Sequence, residues 1–282
     1  MGGFRTLIAT AALAVTASVN AAPAKPQRVM SLNLCADQLV LSLLPRERIA
    51  SVSFLSRKSE HAYFTAEAAH VPVNFGTSEE VLAQHPDLVI VGIASTPATR
   101  DLLKRARISL LEVPFADDFA AIRTTTRMVA RALGEEDTAE ALIRRMDTTL
   151  AELAATAPER RITVAAWDAS GDVPGTNTLF NAILTAAGAV NVAVAMNLRF
   201  GSFDMEQLIA ARPDILIYGD SLADAPGLRR EALRHPLIQK LYANRQFAYP
   251  ETPYNCGLPQ SAESAKALRA TMLNAMAPGS PR

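Results

Sequence analysis

Two glutamates, two cysteines and four histidines carry most of the chemistry that this sequence could perform from fixed positions. Glu79 and Glu206 head two stretches, 127 residues apart, that match without a gap: 79–92 and 206–219. Each is a short helical pattern, a Pro-Asp pair that stops it, and an apolar run. An acid in a first helical turn is favoured by the helix dipole, so each glutamate is either a routine dipole partner or a charge held out for another molecule. Glu80, beside Glu79, is expected to be solvated. Cys35 and Cys256 fall in two turns, one in each half, each followed by a helical pattern. Three readings stay open, in this order: separate buried small residues, a disulfide that would limit movement between the halves, or thiolates that ligate a metal or haem iron. His61, His70, His85 and His235 include no H-x3-H pair, so no resident metal site is expected. His85 and His235 precede prolines at helix ends, where a ring can cap carbonyls. G-x-S-x-G, the P-loop pattern, G-x-G-x-x-G after a strand and Cys-x-x-Cys are all missing, which argues against an enzyme.

The elements that must position these residues read as α/β. Strand patterns over Arg28–Leu32, Ile49–Phe54 and Leu88–Val91 alternate with helical patterns over Ala36–Leu44 and Ser78–Gln84. The runs Leu88–Val91 and Ile215–Tyr218 are continuous, as in a parallel sheet covered on both faces. Two matched units so far apart point to two related lobes rather than a solenoid. Between them Asp118–Leu133 reads as a helix, and Ala139, Leu142, Ile143, Met146, Leu150 and Leu153 keep helical spacing until Pro158. A helix of about 22 residues, about 33 Å long, would brace the lobes as a stiff strut. Arg5, the apolar Leu7–Val15 and the small residues around Ala21 read as a secretory signal. The expected organisation is therefore signal 1–24, N-terminal lobe 25–133, interlobe helix 134–158 and C-terminal lobe 159–282. Without Arg5 the balance is 27 basic to 28 acidic residues, so no strong field draws in nucleic acid or anionic membrane.

In an open α/β sheet ligands bind beyond the carboxyl ends of the strands. This nominates loops at 33–37, 54–63, 92–96, 167–176, 198–202 and 254–256. From them Asn33, Cys35, Phe54, Arg57, Tyr63, Trp167, Arg199, Phe200, Tyr254 and Cys256 are the candidate cleft residues. Aromatic rings there would bind a flat or macrocyclic ligand by burial and stacking. Arg57 and Arg199 could meet its carboxylates bidentately.

Arg28–Leu32, the two Glu-x6-Pro-Asp units, Ala187–Val192 and His235–Ile238, in this order along nearly the whole mature chain, resemble the class III periplasmic binding proteins. The resemblance implies two Rossmann-like lobes joined by one long rigid helix, with a ligand cleft between them. It also implies a ferric siderophore, corrinoid or haem as ligand rather than as resident cofactor, and a monomer working with an inner-membrane ABC permease dimer and its ATPase. In similar proteins one rim glutamate per lobe pairs with permease arginines, a role that falls here on Glu79 and Glu206. Similar cobalamin binders place an aromatic six residues before the second of these, where this chain has Phe200. They also carry a large aromatic after the first Pro-Asp strand, where this chain has Gly92, which weakens the corrinoid reading.

Overall fold

The computed structural model describes residues 25–58, 63–93, 97–167, 172–202, 204–220, 231 and 233–277. The signal segment and the nominated loop positions 59–62, 94–96 and 168–171 lie outside them, as does the side chain of Trp167.

In the N-terminal lobe, β1 (Val29–Ser31), β2 (Ile49–Ser53), β3 (Val73–Asn74), β4 (Leu88–Gly92) and β5 (Leu110–Val113) form one sheet. Its order is β3-β2-β1-β4-β5 and every pairing is parallel. The C-terminal lobe contains β6 (Ile162–Trp167), β7 (Val173–Pro174), β8 (Ala189–Asn191), β9 (Phe200–Gly201), β10 (Ile215–Gly219) and β11 (Gln246–Tyr249). Here β11-β10-β6-β8 is a second parallel sheet, and β7 pairs antiparallel with β9. The expected two-lobed α/β architecture is what the chain adopts.

The connecting helices are α1 (Leu34–Leu43), α2 (Thr65–Ala68), α3 (Ser78–Gln84), α4 (Pro97–Arg105), α5 (Phe119–Leu133), α6 (Glu136–Ala155), α7 (Leu179–Ala186), α8 (Met205–Ala211), α9 (Pro236–Tyr242), α10 (Thr252–Asn255) and α11 (Ser261–Met276). The matched stretches fold alike down to their caps. Thr77 and Glu80 form a capping box on α3, and Asp204 and Gln207 form one on α8. Both helices end on a left-handed residue, His85 and Arg212. The aspartate of each Pro-Asp pair then clamps the start of the neighbouring strand. Asp87 accepts from the N–H groups of Gln27 and Arg28 ahead of β1, and Asp214 from the N–H and hydroxyl of Thr163 in β6. The motif is thus more than a helix stop, because its carboxylate fixes where the central strand begins.

Two of the joints between the lobes bear directly on the site. The first is α6, 20 residues and about 30 Å long. Ala139 and Leu142 belong to the N-terminal core, and Ile143, Met146 and Leu153 to the C-terminal one. Ion pairs from Arg48 and Lys25 to Glu135 hold its first end. At the other end the buried Arg269 of α11 donates to the carbonyls of Leu153 and Thr156. The second joint is the segment 256–258. Cys256 is disulfide-bonded to Cys35, and Leu258 is buried in the N-terminal core. Between them Gly257 lies so close to the Ala116 carbonyl that a Cβ would come within 2.3 Å of it.

Candidate functional site

Between the lobes lies a cavity of about 530 Å3. Its N-terminal wall comes from the residues after β1, with Cys35 and Leu39, and from Pro114–Asp117 after β5. The facing wall comes from Pro174, Thr178–Phe180, Arg199, Phe200, Tyr249 and Glu251 beyond β11, and Tyr254. The carboxyl ends of strands in both sheets therefore open onto one space, as expected of parallel α/β lobes. Phe115 (59% exposed) projects from one lobe and Phe200 (50%) from the other, and exposed rings like these offer area for a bulky apolar ligand. One ion pair crosses the mouth, from Arg199 Nη2 to Asp117 Oδ1 at 2.7 Å. The Arg199 guanidinium also sits 5.8 Å from the centre of the Phe200 ring.

Only some of the nominated residues meet here. Cys35, Arg199, Phe200 and Tyr254 line the cavity. Cys256 is buried just beneath it, and its bond to Cys35 overturns both the preferred reading of separate residues and the metal-ligand reading. Asn33 does not line it. Its side chain caps α1 by accepting from the N–H groups of Cys35 and Ala36, which commits it to the backbone. Phe54 also lies off this cavity, stacked at 5.2 Å on the exposed Phe75. Arg57 is turned away as well, donating to the carbonyls of Ala68 and Val71 at the end of α2. Tyr63 lies in a second, smaller groove against Pro250, Pro253 and Glu263, with Tyr254 between the two spaces. Burial raises the Tyr254 hydroxyl well above the usual tyrosine range, as it packs on Phe180 and Tyr249. Trp167 ends β6, paired with Tyr218.

Asp37, in the first turn of α1, is fully buried beneath this wall and accepts from the Ser53 N–H and from the Ser53 and Ser56 hydroxyls. Burial pushes its carboxyl up to about 6, and hydrogen bonds from Ser31, Ser53 and Ser56 offset this only in part. Phe115, Asp117 and Glu251 were not singled out from the sequence. The signal for the first two was available: Leu110–Val113 followed by Pro114 is a short apolar run ending in a turn, and residues beyond such a strand belong on the ligand side.

The Periplasmic binding protein family model matches residues 29–247. The chain belongs to that family. No curated protein matches it in sequence. Among solved structures, this periplasmic binding protein is similar to the periplasmic haem-binding protein RhuT from Roseiflexus sp. RS-1 in apo form, at 22% identity and a TM-score of 0.75 over 89% of this chain and 99% of that one. The periplasmic haem-binding protein HutB of Vibrio cholerae aligns at 18% identity and TM-score 0.73, over 86% and 98%. The periplasmic vitamin B12-binding protein BtuF of Vibrio cholerae aligns at 13% and 0.67, over 90% and 99%. At these identities the likeness is one of fold, and the class III resemblance holds at the level of family and fold.

The binding protein carries Glu79 and Glu206 as the second residues of α3 and α8, both exposed. Each helix leads into a strand of its lobe's parallel sheet, so each begins at the carboxyl edge that faces the cleft. Neither glutamate makes a hydrogen bond or ion pair among the described residues. Their neighbours are spent differently. Glu80 is not simply solvated, since its carboxylate accepts from the N–H groups of Phe75 and Thr77. Gln207 does the same for Asp204. His235 also departs from expectation: its Nδ1 accepts from the Leu237 N–H and so caps the start of α9 rather than carbonyls at a helix end. His85 ends α3 by its left-handed backbone.

Proposed function

We propose that this chain is the substrate-binding component of an ABC importer, exported to the periplasm through residues 1–24. It captures a bulky metal chelate between its lobes and presents it to the inner-membrane permease dimer and its ATPase. It performs no chemistry on that ligand. The observation that carries this reading is the cavity itself, walled by both sheets with one exposed phenylalanine from each lobe.

Among the described lining residues, those able to bind haem iron are Cys35, Tyr249 and Tyr254. Cys35 is committed to its disulfide, and the two tyrosines pack in an aromatic cluster with Phe180, Tyr254 with its phenolate disfavoured. A chelate whose metal is already fully coordinated, a ferric siderophore or a cobalamin-like corrinoid, needs no such ligand from the protein.

Glu79 and Glu206 are the docking residues in this reading. Exposed ion pairs contribute only about 0.2–1 kcal/mol, whereas close charge pairs desolvated at an interface couple by about 1.5–7 kcal/mol. Two such acids could therefore hold the complex in register. Replacing both (Glu79→Ala, Glu206→Ala) should reduce chelate uptake by the cognate permease at least tenfold while the isolated protein still binds chelate. Undiminished uptake would remove the transport-docking role and leave a sensor or scaffold with the same fold.

A further inference from the structure

The charged side chains that line the cavity among the described residues are Arg199, Asp117 and Glu251. They are one cation and two acids. The single cation is engaged across the mouth by Asp117 at 2.7 Å, and Glu251 is only 5% exposed. No further arginine or lysine among the described residues stands on either wall.

A chelate that carries several negative charges would give up part of its hydration on entering the cavity. Such a transfer is costly unless opposite charge compensates it. Here the anion would meet the Asp117 carboxylate and a guanidinium already paired with it. A neutral chelate meets no such opposition, and it would be held by the area of Phe115 and Phe200.

We infer that the cavity selects neutral metal chelates over polyanionic ones, and that Asp117, by occupying Arg199, is the residue that sets this preference. The inference rests on the proposed chelate-binding role and names the charge class of its ligand. It disfavours tris-catecholate and polycarboxylate iron complexes, and the two propionates of haem, in favour of hydroxamate-type iron complexes and corrinoids.

Three probes titrated by calorimetry into the mature, oxidised protein test it: a neutral ferric tris-hydroxamate, a neutral cyano-corrinoid and a trianionic ferric tris-catecholate. At least one neutral probe should bind at least tenfold more tightly than the trianion. Its affinity should also change little between about 0.05 and 0.5 M salt, because screening acts on charge and not on apolar contact. Asp117→Asn should release Arg199 and shift the affinity ratio about tenfold toward the trianion. Tighter binding of the trianion by the unaltered protein, or a ratio that Asp117→Asn leaves in place, would overturn the charge preference alone. If none of the three binds, the chelate-binding reading falls and this inference with it.

Discussion

At the floor of the cleft the lobes are joined by the Cys35–Cys256 bond, by Gly257 pressed on the Ala116 backbone and by Leu258 buried in the opposite core. At its mouth they meet through Asp117 and Arg199, a pair whose side chains are roughly a third and a half exposed. The floor is covalent and in part buried. The mouth, among the described residues, is one ion pair open to water and salt. With α6 held at both ends as a second link, the weakest of these contacts between the lobes is the one at the mouth. The lobes are thus firmly joined at the floor and weakly held at the mouth.

The largest effect in this comparison should come from cutting the floor. The disulfide closes a sequence separation of 221 residues, and removing a cross-link of this kind costs about 2–4 kcal/mol in most proteins. A Cys35→Ser/Cys256→Ser variant should lose about that much in a denaturant titration. The unaltered chain in excess reductant should fall to the same value. Equal stability with and without reductant would show that the bond does not brace the lobes.

Next comes the buried acid beneath the N-terminal wall. Because folding raises the Asp37 carboxyl from 3.8 to about 6, the folded state holds this proton more tightly than the unfolded chain does. Its contribution is fully present below pH about 4 and is lost as pH rises to about 6, a swing on the order of 2–3 kcal/mol. Stability profiles over this window should be flatter in Asp37→Asn. An unchanged slope would place the titration elsewhere.

The smallest effect belongs to the mouth. Arg199→Gln should change global stability by only about 0.2–1 kcal/mol, as for other exposed pairs. Thermal unfolding checks it, and a loss as large as that of the disulfide variant would erase the distinction between floor and mouth.

The same contrast marks how far the sequence could be read. What repeats or is periodic was legible: the two Glu-x6-Pro-Asp units became α3–β4 and α8–β10, and the spacing from Ala139 to Leu153 became α6. These features depend on local patterning, which a single sequence records. Residues whose role depends on a distant partner were not. Asn33 looked like a ligand contact and is a cap, because capping and display use the same side chain at a strand-to-helix turn. Phe54 does not line the cavity and stacks instead on Phe75, 21 positions on. Nothing local links Cys35 to Cys256 or Asp117 to Arg199, so both the floor and the mouth emerged only when the lobes were brought together. Phe115 differs in that a local signal for it existed and went unread, the short apolar run before Pro114.

The most direct test of the central claim, that the space between the lobes is a chelate site walled by one ring from each, is a calorimetric titration of the mature, oxidised protein beside its Phe115→Ala/Phe200→Ala variant. With a ferric tris-hydroxamate or a cyano-corrinoid, the account predicts saturable binding that weakens at least tenfold when both rings are removed. Binding that the double variant leaves intact would contradict it.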